Sequence, residues 1–305
     1  MAALHLYENQ FFGTIPPEMG KLSNLVELFI DTNSLEGPIP FTFGNLTKLT
    51  KLFMYQNQLS GSIPPEIGNL KSLNWLSLFG NNLSGPIPAS LGGLTSLTLL
   101  HLYKNQLSGS IPKELGNLKS ILDLELGVNQ LIGPIPASFG NLSELKFLNL
   151  RDNGLSGRIP KQMAYLPKLS LLQLQNNQLT GSLPPNICQN KMLQNISVND
   201  NHLEGPIPKS FKDCKSLLFR FSLSLEFCSS YRKEKKIQKR SNATSRMRNS
   251  FPYQVLKENL CMMRLYEPLI VSMLYAALGW EDAAMSTKPF VIIRDHSGCE
   301  EAQLT

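Results

Sequence analysis

The chain has 305 residues, with 29 Lys and Arg against 23 Asp and Glu, a formal charge of +6. That length suffices for one or two domains, and the surplus charge is uneven: residues 1–218 hold 16 basic and 14 acidic residues, residues 219–305 hold 13 and 9. Eight basic residues fall between Arg232 and Arg248 with Glu234 the one acidic residue among them; without interleaved aromatic side chains this run reads as a solvated segment and argues against nucleic-acid binding. The longest apolar stretch, Pro268 to Trp280, has 13 residues, short of the roughly 20 that cross a bilayer, so no membrane span is expected.

From the first residues onward one frame repeats, L-x-x-L-x-L-x-x-N-x-L-x-G-x-I-P, with a period of 24. Asparagine recurs at Asn9, Asn33, Asn57, Asn81, Asn105, Asn129, Asn153, Asn177 and Asn201, and glycine keeps step from Gly13 to Gly205. The octapeptide NQLSGSIP occurs at Asn57–Pro64 and again at Asn105–Pro112, two periods later. Self-similarity of this length is the mark of a leucine-rich-repeat solenoid. The expected fold is a right-handed α/β-type solenoid of about nine repeats with a parallel concave β-sheet, short convex turns and few regular helices.

Within each repeat the pairs Leu28/Ile30, Leu52/Met54 and their equivalents as far as Ile196/Val198 alternate with polar or variable residues, which predicts a short strand with those pairs pointing inward. The asparagine closes the strand, where its amide can bond turn backbone groups that would otherwise be buried unpaired, and the aligned copies form a structural ladder. Glycine permits the turn that follows, and Ile-Pro enters an extended segment.

The outward strand positions line the concave face: Tyr7, Phe29, Asp31, Phe53, Tyr55, Trp75, Phe79, His101 and Tyr103, then Asp123, Glu125 and Arg151. Aromatic residues concentrate in the first five repeats. Grouped beside charges, they read either as a recognition surface for an extended peptide or protein or as rings stacked along the sheet. No catalytic constellation accompanies them, no cofactor motif is present, and the four histidines are dispersed along the chain, so neither catalysis nor a metal is expected.

Of five cysteines, Cys188 and Cys214 lie 26 residues apart, nearly one period, and read as either a bridge between adjacent coils or two small buried thiols. Sequons at Asn45, Asn82 and Asn141 are candidate glycosylation sites, and two more occur at Asn195 and Asn242. The chain opens within a strand pattern and shows no signal peptide. Beyond Leu217 the frame dissolves, so the expected division is a solenoid over 1–218 and a basic, poorly ordered tail over 219–305, with marginal helices at Val255–Arg264 and Leu269–Leu278.

The frame L-x-G-x-I-P resembles the plant-specific class of leucine-rich repeat, and residues 1 to about 218 resemble an internal piece of the ectodomain of a plant leucine-rich-repeat receptor-like kinase. The segments PEIGNLKSL, LPPNICQNKML and IPKSFKDCKSL resemble the MDIS1-interacting receptor-like kinases, which associate with the male pollen-tube receptor complex. The resemblance implies an extracellular module on the plasma membrane that meets a peptide or a co-receptor, followed in the parent family by one membrane helix and a serine/threonine kinase. In the tail, RKEKKIQKR resembles the basic stretch after such a membrane helix. The codons that can encode Leu278–Lys288, read one nucleotide earlier, permit the kinase Gly-rich loop, which suggests a disrupted receptor-kinase gene. Kinase motifs are absent in frame. A stand-alone inhibitor or scaffold, or a truncated product without function, are the alternative readings.

Overall fold

The computed structural model describes residues 2–214 and, as backbone strands, residues 290–294 and 300–304. Nine coils stack, each carrying one ladder asparagine; they are numbered here from coil 1, with Asn9, to coil 9, with Asn201. Each begins with a three-residue strand, from Ala3–His5 in coil 1 through Leu99–His101 in coil 5 to Asn195–Ser197 in coil 9. These pair in parallel and in sequence order into one nine-stranded sheet. The register advances by one period per coil, so His101 is paired with Ser77 below and Glu125 above.

The inward pairs are buried as the alternation predicts. From Leu28 and Ile30 to Ile196 and Val198 every one is at most 3% exposed, and with the other repeat leucines they form a continuous core. A parallel strand pair cannot be closed by a tight hairpin; the solenoid solves this by sending the chain round the coil before it returns to the sheet.

A second nine-stranded parallel sheet, not foreseen from the sequence, runs along the flank through segments such as Asn82–Pro86 and Gln106–Ser110. In coils 1 to 8 the repeated glycine sits inside these strands with φ between +73° and +81°, where a side chain would be strained. The convex side is built from five-residue 3-10 helices, such as Pro65–Asn69 and Ala89–Gly93, each entered through the proline of Ile-Pro. Coil 8 departs from this, with consecutive turns over 185–190. There Cys188 forms a disulfide with Cys214 of coil 9, so the bridge, and not the pair of free thiols, is the arrangement present.

The residue before each ladder asparagine adopts a left-handed conformation in all nine coils: Glu8, Thr32, Gln56, Gly80, Lys104, Val128, Asp152, Asn176 and Asp200, with φ from +50° to +65°. This turns the chain so that the asparagine side chain enters the coil. Asn81 donates to the carbonyls of Met54, Leu78 and Phe79 and accepts from the Leu59 amide, so from coil 2 onward the ladder residue ties its own coil to the one before it.

Strands Phe290–Arg294 and Glu300–Leu304 pair antiparallel in a second unit, Ser241–Thr305, distinct from the unit Met1–Arg240 that contains the solenoid. The helices expected at Val255–Arg264 and Leu269–Leu278, and the glycine-loop segment Leu278–Lys288, lie outside the described residues. No helix among the described residues is long and apolar enough to cross a membrane.

Candidate functional site

The concave sheet presents alternate residues, and its two halves differ in chemistry. In coils 1 to 5 aromatic rings form two columns. His5, Phe29, Phe53 and Trp75 stack with centroid separations of 4.4, 4.7 and 6.0 Å. Tyr55, Phe79 and Tyr103 stack at 4.6 and 4.5 Å, both with planes 7° apart. Strands about 4.8 Å apart place rings of equivalent position at offset-stacking distance, so the periodicity of the repeat itself makes the columns. The stacking reading is therefore met; the outward edges of Phe29, Phe53, Tyr55, Phe79 and Tyr103 remain partly accessible.

Charge flanks the first column. Glu27 bonds His5 and Lys51, each at 3.1 Å, and the Lys51 ammonium lies 4.6 Å from the Trp75 ring centroid. The Lys51 hydrogen bond, against a smaller opposing effect of burial, holds the Glu27 carboxyl below its usual value. Tyr7, in the first coil, is 46% exposed.

Two of the expected surface acids are not displayed. Asp31 is 2% exposed and Asp123 is 4% exposed, because the large rings and neighbouring side chains close over short ones. Burial raises the Asp31 carboxyl above its ordinary value despite hydrogen bonds from Tyr55 and Thr32. Arg151 pairs with Asp152 at 3.4 Å, at the edge of the polar half.

The histidines, dispersed in sequence, are not all isolated in space, which corrects the expectation. The His101 Nε2 lies 2.9 Å from the Asp123 Oδ2 on the next coil, and a donor atom of Glu125 completes a group in which all three lie within 4.8 Å of one another. Burial pulls the His101 imidazole down, but the charge and hydrogen bond of Asp123, with Glu125 adding to them, outweigh it and leave its pKa raised. Burial pushes the Glu125 carboxyl up to about 7, with Asp123 reinforcing the shift and His101, Arg151 and an Asn149 hydrogen bond opposing it. A spacing of 22 residues, two short of the period, is the only sequence signal of this diagonal contact.

Among the described residues, four buried side-chain polar atoms lack a hydrogen-bond partner: Ser77 Oγ, Asp123 Oδ1, Gln175 Oε1 and Asn199 Oδ1. Ser77 and Asp123 lie in strands of the concave sheet, and Gln175 and Asn199 lie two residues beyond the ends of its strands Leu171–Gln173 and Asn195–Ser197. Polar atoms left unpaired in a fold that pairs its backbone so thoroughly call for a local explanation, and here they mark one face. Beside it, Gln56, Phe79, Gly80, Lys104 and Val128 line an open depression of about 520 Å³.

The sequons at Asn45, Asn82 and Asn141 are exposed and away from the concave strands, whereas Asn195 lies within one.

The fold and its ladder define a leucine-rich-repeat solenoid, and comparison with known proteins agrees. Models described as leucine rich repeat match residues 23–83, and 96–118, 144–166, 168–190 and 192–214. The chain belongs to the leucine-rich-repeat family. Among solved structures it is similar to a TDR receptor, with 34% identity and a TM-score of 0.69 over 73% of this chain and 43% of that one. It is also similar to the Arabidopsis receptor kinase HAESA in complex with the peptide hormone IDA and the co-receptor SERK1, with 37% identity and a TM-score of 0.68 over 72% and 38% of the two chains. A plant ice-binding protein matches at 32% identity and a TM-score of 0.64 over 73% of each chain. The chain thus spans about two fifths of the length of the receptor structures. No curated protein matches it.

Proposed function

We propose that the solenoid, residues 1–218, is a recognition module of a plant receptor-like kinase ectodomain whose concave face takes an extended peptide or a partner protein, with residues 219–305 a separate tail. The carrying observation is the concentration of partly accessible stacked rings and of all four unpaired buried polar atoms on this one face. An extended ligand supplies an alternating row of backbone donors and side chains, which suits a surface repeating every 4.8 Å or so. The rings offer rigid contact area at low entropic cost, and the partly accessible Glu125 and Arg151 set orientation. The complex of HAESA with a peptide hormone and a co-receptor supports the same use of a related solenoid. Membership of the MDIS1-interacting group, an extracellular location on the plasma membrane and glycans at Asn45, Asn82 and Asn141 belong to this reading. Their exposed positions leave the concave face clear.

The test is selection of peptides from a randomised twelve-residue phage library on the immobilised full chain. The selected peptides should bind the wild type and a convex-side variant, Phe41→Ala in the 3-10 helix Phe41–Asn45, equally, and lose binding to a Phe79→Ala/Tyr103→Ala variant that melts at the wild-type temperature. Peptides indifferent to the concave substitutions would remove the proposal.

A further inference from the structure

We propose that His101, Asp123 and Glu125 bind one divalent transition-metal ion of the zinc type, held at the centre of the concave sheet with a coordination position open to the groove.

The donor set is the first reason. One imidazole nitrogen and two carboxylates suit zinc, cobalt or manganese, whereas calcium and magnesium favour oxygen alone. Geometry is the second. Ligands about 2.0–2.2 Å from a tetrahedral ion stand roughly 3.3–3.5 Å from one another. The His101 Nε2 and Asp123 Oδ2 are already 2.9 Å apart, and all three donor groups fall within 4.8 Å. They are carried on adjacent paired strands, with His101 directly opposite Glu125, so small side-chain rotations, without backbone movement, close the site. Asp123 and Glu125 project from the same face of one strand, two residues apart.

The third reason is independent of the cluster's shape. Asp123 uses one carboxylate oxygen for His101, while the other is buried and unpartnered; Ser77, paired with His101 from the opposite side and 3% exposed, has an equally unpartnered hydroxyl. Two orphaned polar atoms therefore flank the imidazole on both sides. A dication would meet the first directly and, through a bound water, the second. With neutral imidazole it would also balance the two carboxylate charges. The alternative is a purely structural cluster in which Asn149 and Arg151 compensate Glu125. The proposal does not depend on the peptide reading and is tested without a peptide.

The experiment is a cobalt(II) titration of the metal-free full chain, with Cys228, Cys261 and Cys299 replaced by serine so that thiols cannot compete. Visible ligand-field absorption should saturate at one equivalent and be displaced by zinc. His101→Ala and Glu125→Gln should each weaken binding by more than about tenfold, while far-ultraviolet circular dichroism stays unchanged. Glu125→Gln, at a half-buried position, keeps the test available should His101→Ala not fold. Absence of stoichiometric binding, or binding that survives either substitution in folded protein, overturns the proposal.

Discussion

Replacing Asn81 with alanine removes four hydrogen bonds at a position 7% exposed to solvent. The Leu59 amide loses its acceptor at 3.0 Å, and the carbonyls of Met54 and Leu78 lose donors at 3.0 Å. Each buried polar group left unpaired costs about 1–3 kcal/mol. With the amide orphaned and at least one carbonyl out of reach of water, the substitution should cost about 2–5 kcal/mol. Asn9 occupies the same position in coil 1 but is exposed and donates to the Leu6 and Tyr7 carbonyls alone, where water replaces it. Asn9→Ala should therefore cost less than about 1 kcal/mol. Urea unfolding of the two variants measures the difference. Equal losses would refute the argument that the ladder acts by satisfying buried backbone, since both residues share the same local turn.

Three further outcomes follow from the packing of the coils. A Cβ on Gly92 would collide with the Glu114 carbonyl oxygen of the next coil, so Gly92→Ala should lower stability by about 3 kcal/mol through forced separation of the coils, read from the urea midpoint. Val128 is a β-branched residue at φ +54°, and Val128→Gly should stabilise the chain by about 1 kcal/mol, visible as a raised melting temperature. Because burial raises the Asp31 carboxyl, its ionised form penalises the folded state above the folded pKa, and protonation relieves the penalty. Asp31→Asn should thus be more stable relative to wild type at pH 7, and the gap should shrink as pH falls towards the ordinary carboxylate value of about 4. A gap that widens on acidification would contradict the assignment.

Much of the scaffold was legible in the sequence because the same inward leucines, asparagine and glycine recur at a spacing that admits one coil geometry. The left-handed residue before each asparagine was not legible: Glu, Thr, Gln, Lys, Val, Asp and Asn all occupy it, and the turn is imposed by the asparagine beside it, not by its own side chain. The flank sheet was hidden for a related reason, since segments such as Gln-Leu-Ser-Gly contain glycine and little β-branching. Concave positions could be read from alternation, but exposure could not. Asp31 and Asp123 were placed on the correct face and are nonetheless covered by neighbours whose size depends on adjacent repeats. The meeting of His101 with Asp123 depends on a diagonal reach between coils that a column-by-column reading of the repeat does not reveal.

The claim that the concave face is the recognition surface is met most directly by isothermal titration of one library-selected peptide against the wild type, Phe79→Ala/Tyr103→Ala and Phe41→Ala. Affinity should be at least about tenfold weaker for the concave variant, the equivalent of about 1.4 kcal/mol, with the convex-side variant unchanged. Unaltered affinity in the folded concave variant, or a loss confined to Phe41→Ala, would contradict it.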